Sequence, residues 1–156
     1  MDTGRILLTR HAEKPDNPLD PKLSPAGLDR AQKLDPYILA TFGKPHFLFA
    51  SAISKHSERP YLTLKPLSKA IDVAIDTTYA DQDYAALAHH LLTKDDYRGK
   101  LLVVCWHHGH IPFFAKALGA KPGAYPDPWP ETVFNLILTF NFASGAPSVA
   151  QVAEPF

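Results

Sequence analysis

Apolar residues in this chain gather into short runs, and most runs stop abruptly on a polar cluster. Arg5 to Thr9 has the length and apolar content of a strand buried on both faces. Periodicity alone does not separate such a run from a piece of helix, and the sharp polar end at Arg10-His11 decides for a strand. His46 to Ala50 repeats the arrangement and runs into Ser51 to Ser57, and Ala70 to Ile75 is a third short strand. Leu101 to Trp106, L-L-V-V-C-W, is the strongest strand and the expected centre of a sheet; it stops at His107-His108-Gly109-His110. Val133 to Phe142 alternates apolar with polar residues, and Ser148 to Ala153 reads as a last edge strand.

Helical spacing fills the intervals. Ser24 precedes Pro25 at a first helical position, and Leu28, Ala31, Leu34, Ile38 and Leu39 recur up to Phe42-Gly43, with a bend expected near Pro36. A second helix starts near Ser57 and carries Tyr61, Leu62 and Leu64 until Pro66 disturbs it. Tyr84 to Leu92 gives a third, followed by a turn from Asp95 to Gly99. Ile111 to Leu118 gives a fourth, with Pro112 in its first turn and Gly119 at its end. Residues 15 to 25 and 120 to 130 are proline-rich and can continue neither a helix nor a central strand, so both are stiff surface loops. Strands alternating with helices predict an α/β three-layer sandwich, with a mostly parallel central sheet and helices on both faces. No repeat, low-complexity tract or linker divides the chain, so residues 1–156 are read as one domain.

Composition narrows the chemistry. A chain of 156 residues can bury roughly 70% of the surface it exposes when unfolded, enough for a core without disulfide staples. Lys plus Arg and Asp plus Glu number 16 each, so no global charge points to nucleic acid or to a membrane surface, and any basic site must be local. The single cysteine, Cys105, lies in the apolar run before Trp106 and reads as a reduced, buried thiol. Asp2 and Arg5 interrupt the N-terminus, and no apolar stretch reaches the roughly 18 residues of a membrane span. A cytoplasmic location is the expectation.

The polar residues that end the runs fall at one place. In open α/β sheets, ligands bind outside the carboxyl ends of the strands, where the strand order reverses. Here the first strand ends at Arg10-His11, the second leads to Arg59, the third leads to Asp81 and the fourth ends at His107-His108. Arginine presents a planar fork of donors matched to phosphate oxygens, and hydrogen bonds of this kind contribute about 1.5–3 kcal/mol each. Two arginines and two histidines at one sheet edge make a phosphate cage.

These residues also carry a resemblance. Leu8-Thr9-Arg10-His11 with Ala12-Glu13, Leu23-Ser24-Pro25-Ala26-Gly27-Leu28 with Ala31-Gln32, Ser51 through Arg59 to Thr63, and Trp106-His107-His108-Gly109 together resemble the histidine phosphatase superfamily, also called phosphoglycerate-mutase-like. The resemblance implies that His11 is the nucleophile, carrying the phosphoryl group as a phosphohistidine. It implies further that Arg10, Arg59 and His108 hold the phosphate oxygens, so that catalysis is mostly positioning and electrostatics. A carboxylic acid is implied in the segment after the third strand, where Asp81 fits better than Asp83; Glu13 is the runner-up. The implied substrate is a phosphorylated small molecule or phosphoprotein, with no cofactor. Two positions depart from the pattern. Ala12 stands where the superfamily usually has Gly, which matters if the backbone needs φ > 0. His107 stands where a small residue or Glu is usual, and it either touches substrate or packs behind the site.

Other readings stand beside these. His107, His108 and His110 could ligate a metal, but no Cys or acidic partner stands at ligand spacing and neighbouring cations would repel the ion, so no metal is expected. His89 and His90 read as surface or core-edge residues, whereas Lys55 and His56 flank the presumed phosphate. Trp129 and Tyr125 either line the pocket or pack beneath the proline-rich loop, and Glu131 either bonds to the site or lies free on the surface. At the level of function, hydrolysis of a phosphomonoester or phosphoramidate competes with a mutase-type phosphotransferase, which the lack of an inserted lid disfavours. The remaining rival is a weakly active phospho-ligand binding module that kept the cage and lost the acid.

Overall fold

Among the described residues, six strands form one sheet, and its register explains why distant histidines meet. The computed structural model describes residues 4–143 and 145–156. Its strands are β1 (Arg5–Arg10), β2 (Phe47–Ala50), β3 (Ile75–Asp76), β4 (Leu101–Trp106), β5 (Leu136–Asn141) and β6 (Ser148–Ala153), in the order β3-β2-β4-β1-β5-β6. The helices are α1 (Pro25–Thr41), α2 (Arg59–Ile71), α3 (Tyr84–Thr93) and α4 (Ile111–Ala117). β1 lies parallel to β4 with Arg10 opposite Trp106, so His11 and His107 leave the sheet side by side.

Alternation along the strands divides the core. Ile6 and Leu8 of β1 join Leu102, Val104 and Trp106 of β4 in a cluster with Leu87 and Leu91 of α3 and Phe114 of α4. Leu7, Leu101, Val103 and Cys105 point the other way, against Leu34 and Ile38 of α1 and Leu64 and Leu67 of α2. Every residue of β4 is buried. Burying a large aliphatic side chain contributes about 1.5–3 kcal/mol, so shifting this strand by one residue would forfeit several such contributions at once.

The sheet is mixed, where the sequence suggested a mostly parallel one. β3, β2, β4 and β1 pair in parallel, but β5 is antiparallel to both β1 and β6. The reason lies at residues 131–133. Their carbonyls hold the Arg10 guanidinium, so the chain returns to the carboxyl edge before β5 begins and β5 must run back down the sheet. β5 accordingly starts at Leu136 and not at Val133.

α2 and β3 also depart from expectation. α2 passes through Pro66 to Ile71 because Leu64, Leu67 and Ile71 keep helical spacing and are all buried. Their combined burial outweighs the roughly 3 kcal/mol that an interior proline costs. Asp72, at φ 56, then caps the helix in the left-handed region, leaving only Ile75–Asp76 to pair with β2 where a strand from Ala70 was expected. α1 is likewise continuous through Pro36.

The connection from β1 passes through α1 to β2, on the far side of β4, whereas that from β4 passes through α4 to β5, on the far side of β1. The strand order therefore reverses between β1 and β4, opening a crevice at their carboxyl ends.

α1 docks onto the segment that follows β1. The Ser24 hydroxyl caps the helix by accepting from Gly27 N at 3.0 Å and donates to the Glu13 carbonyl at 3.2 Å. Gly27 lies so close that a Cβ would run into the Glu13 carbonyl, and it would also sit 3.0 Å from Glu13 N and 3.1 Å from Leu23 Cβ. Gly27→Ala is therefore expected to lower stability by about 1–3 kcal/mol, as overpacking does, whereas Gly109→Ala, with nothing within 4 Å of the added carbon, should stay within about 0.5 kcal/mol; urea titration of both variants checks this.

Candidate active site

At the carboxyl edge, three elements fix His11. Its backbone N donates to Trp106 O at 3.1 Å, and the next residue, Ala12, donates to the Thr63 hydroxyl at 2.9 Å. Thr63 in turn donates to the Arg59 carbonyl at 2.8 Å, so one hydroxyl joins the segment after β1 to the first turn of α2. The His11 ring, 2% exposed, has Nδ1 at 2.7 Å from the Ala12 carbonyl. That carbonyl can only accept, so Nδ1 carries the proton and Nε2 is left with a free lone pair. Burial, reinforced by His107, Arg10 and Arg59 and only partly offset by the Ala12 carbonyl, lowers the His11 pKa to about 2. The ring is neutral at neutral pH, with its one proton on Nδ1.

Arg10 lies directly beneath. It is 2% exposed; Nη1 donates to the Glu131 and Val133 carbonyls at 2.6 and 3.3 Å, and the Phe134 ring covers Cζ at 3.9 Å. Nε and Nη2 are buried without a partner. Burial lowers its pKa to about 10, which leaves it cationic at neutral pH. Arg59, at the start of α2, donates from Nη1 to the Asp20 carbonyl at 2.9 Å, and its Nε is also buried and unpaired. The proline-rich loop 15–25 thus steers the second guanidinium.

A cleft of about 330 Å³ opens here, lined by His11, Lys14, Arg59, Asp81, His107, His108, Gly109 and His110. Of the residues singled out from the sequence, His11, Arg59, Asp81, His107 and His108 line it, and Arg10 backs it. His107 both lines the cleft and packs edge-on against His11, with ring centroids 5.2 Å apart. Burial lowers the pKa of both His107 and His108. Asp81 is anchored by its backbone carbonyl, which accepts from the Trp106 indole at 3.0 Å. Asp83 is exposed and does not reach the cleft.

Glu13 is not brought in either. Its carboxylate makes a two-pronged ion pair with Arg30, at 2.9 and 3.0 Å, and Arg30 also holds Glu154 at 2.9 Å and the Phe156 carbonyl at 2.6 Å. Both Glu13 oxygens are occupied, so an acid role for it has no geometric support. Trp129 and Tyr125 are buried in the core, and Glu131 contributes its carbonyl while its side chain faces solvent. Ala12 is fully buried and does not have positive φ, so its methyl group fits without backbone strain. Among the described residues, no group of three or more His, Cys, Asp or Glu is placed to hold a metal ion, and no helix is long and apolar enough to cross a membrane.

No family model and no curated protein sequence matches the chain. Solved structures match its fold along nearly the whole length. The protein histidine phosphatase SixA in complex with tungstate superposes with a TM-score of 0.70 at 14% identity, covering 96% of each chain. Phosphoserine phosphatase from Entamoeba histolytica, in complex with 3-phosphoglyceric acid, gives 0.64 at 16% identity, covering 97% of this chain and 98% of that one. Phosphoglycerate mutase from Plasmodium falciparum gives 0.62 at 16% identity, covering 100% and 91%. The chain has the fold of these three enzymes.

Within this fold, sequence reasoning missed three contributors. Lys14 lines the cleft from a loop with no periodic signal. Phe134, assigned to a strand, instead covers Arg10. His110 has Nδ1 2.9 Å from Asp81 Oδ2, and its spacing from His107 was the one hint that both belong to a single turn.

The burial of His11 has a pH signature. In the unfolded chain the ring titrates near 6.5, against about 2 in the folded protein. Below 6.5 the unfolded state takes up a proton that the folded state refuses. The contribution is therefore present above 6.5 and is lost as pH falls toward 2. Between about pH 7 and about pH 5 this amounts to roughly 2 kcal/mol, so urea denaturation should show wild type losing about that much more stability over the interval than His11→Gln.

Proposed function

We propose that this protein is a phosphatase that hydrolyses a phosphomonoester or phosphoramidate through a phosphohistidine on His11. One observation carries the reading. A buried imidazole with Nδ1 tied to a carbonyl and Nε2 free stands in a cleft walled by Arg59 and backed by Arg10, whose buried donors lack partners. Unpaired buried donors on two guanidinium groups are costly, and an anion with several acceptor oxygens satisfies them. Phosphate is such an anion, and the structural neighbours named for phosphatase and mutase activity agree with it.

In this reading His11 Nε2 attacks phosphorus while Arg10, Arg59 and His108 hold the oxygens that gain charge in the transition state. The leaving group departs toward the Asp81 side of the cleft, from which it receives its proton. Water then attacks the phosphohistidine and releases phosphate. The substrate is a phosphorylated small molecule or a phosphoprotein, and the site of action is the cytoplasm. Hydrolysis is favoured over mutase chemistry because the cleft is open to water. The side chains of His110 and Asp81 are 35% and 34% exposed, and a mutase must shield its intermediate while the substrate turns.

The test is rapid acid-free quenching during turnover of p-nitrophenyl phosphate, alongside release of phosphate from a phosphohistidine peptide. An acid-labile, alkali-stable phosphoenzyme mapping to His11, absent in His11→Ala, is the expected result. Arg59→Ala should lower kcat/KM by about 10- to 100-fold, the equivalent of one charge-assisted hydrogen bond. Tight phosphate binding with no turnover of either substrate would reduce the protein to a binding module.

A further inference from the structure

Resting on the phosphatase reading, we propose that the proton given to the leaving group comes from His110, with Asp81 as its counter-ion and orienting partner. His110 follows the histidine pair by one turn and caps the start of α4, with its backbone N donating to the His107 carbonyl at 3.2 Å. Its ring lines the same cleft as His11. Nδ1 lies 2.9 Å from Asp81 Oδ2, within ion-pair distance although not aligned as a hydrogen bond. Tyr84 stacks on the ring, with centroids 5.3 Å apart and planes 26° from parallel, so the imidazole is held on two sides.

Asp81 itself is badly placed to donate. Oδ1 is buried with no partner and Oδ2 is turned to His110. Among the described residues no Lys or Arg pairs with it, and His110 is the side chain within ion-pair distance. With Nδ1 near Asp81, Nε2 of His110 has no hydrogen-bond partner among the described residues and remains for the substrate. This is the carboxylate–imidazole pairing that elsewhere orients a catalytic histidine.

The proton balance closes on this pair. As the bond between His11 Nε2 and phosphorus forms, the bond from phosphorus to the leaving oxygen breaks and that oxygen takes the proton from His110 Nε2. In the second step, His110 Nε2 accepts a proton from the attacking water. The new P–O bond then replaces the P–N bond, and His11 returns to its neutral form. No co-reactant beyond water is needed.

The experiment measures kcat/KM of wild type, His110→Gln and Asp81→Asn on a series of phosphate monoesters running from dinitrophenyl through phenyl to alkyl. Binding of inorganic phosphate and the trapped phosphoenzyme are recorded for each protein. Proton donation matters little for dinitrophenyl and greatly for alkyl leaving groups. His110→Gln is therefore expected to lose about 10²- to 10⁴-fold on alkyl esters and less than about tenfold on the dinitrophenyl ester, with phosphate affinity kept. Asp81→Asn should show the same gradient more weakly. An equal loss of His110→Gln across the series would overturn the proposal, as would a graded loss confined to Asp81→Asn, which would make the carboxyl group the donor. Failure of wild type to form any phosphoenzyme would instead remove the phosphatase reading, and the proton donor with it.

Discussion

Burying a guanidinium costs several kcal/mol unless its donors are met, and the burial of Arg10 constrains everything at the carboxyl edge. Two carbonyls, from Glu131 and Val133, satisfy Nη1, and the Phe134 ring covers the cation. The Val133 carbonyl also accepts from the Trp129 indole at 3.0 Å, which fixes the loop that supplies it. For those carbonyls to reach Arg10 the chain must come back to the carboxyl edge after α4. The antiparallel direction of β5 follows from that return. What the fold leaves open on Arg10, Nε and Nη2, faces the demand that a bound anion would meet.

The segments that build the site are joined to one another as well as to the sheet. Trp106 holds the backbone of His11 through its carbonyl and the backbone of Asp81 through its indole N–H. Thr63 links Ala12 to the Arg59 turn, and the Ser24 cap links α1 to Glu13. Trp106 and Thr63 are themselves buried in a strand and a helix, which limits positional error at the cleft, as a group acting by geometry requires.

Much of this was legible in the amino-acid order because the central strands are pure burial signals. Leu101 to Trp106 is apolar at every position and becomes the fully buried β4, and the abrupt switch to His107-His108 marks the strand end that carries chemistry. The same logic places His11 and Arg59. It fails where a local rule and a tertiary contact compete. Pro66 reads as a helix stop, yet Leu67 and Ile71 are buried and carry α2 onward. Val133 and Phe134 alternate like a strand but serve Arg10. Lys14 and His110 gain meaning only from what lies across the cleft, and no spacing along the chain encodes a partner such as Asp81.

The treatment of Glu13 shows how tightly the charge at this edge is controlled in a chain whose net charge is zero. A carboxylate two residues beyond His11, turned inward to about 4 Å from a bound phosphate, would oppose it by about 4 kcal/mol at an effective dielectric of about 20. Arg30 turns Glu13 away instead, and the same guanidinium is shared with Glu154, whose burial pushes its pKa up to about 7 despite that pairing. The acid that remains in the cleft, Asp81, lies beside an imidazole, in a lining that also holds Lys14 and Arg59. An anion entering such a cleft is drawn to Lys14 and Arg59 and repelled by Asp81. In the proposed reaction, this charge distribution draws the phosphoryl group to the arginine before any bond is made.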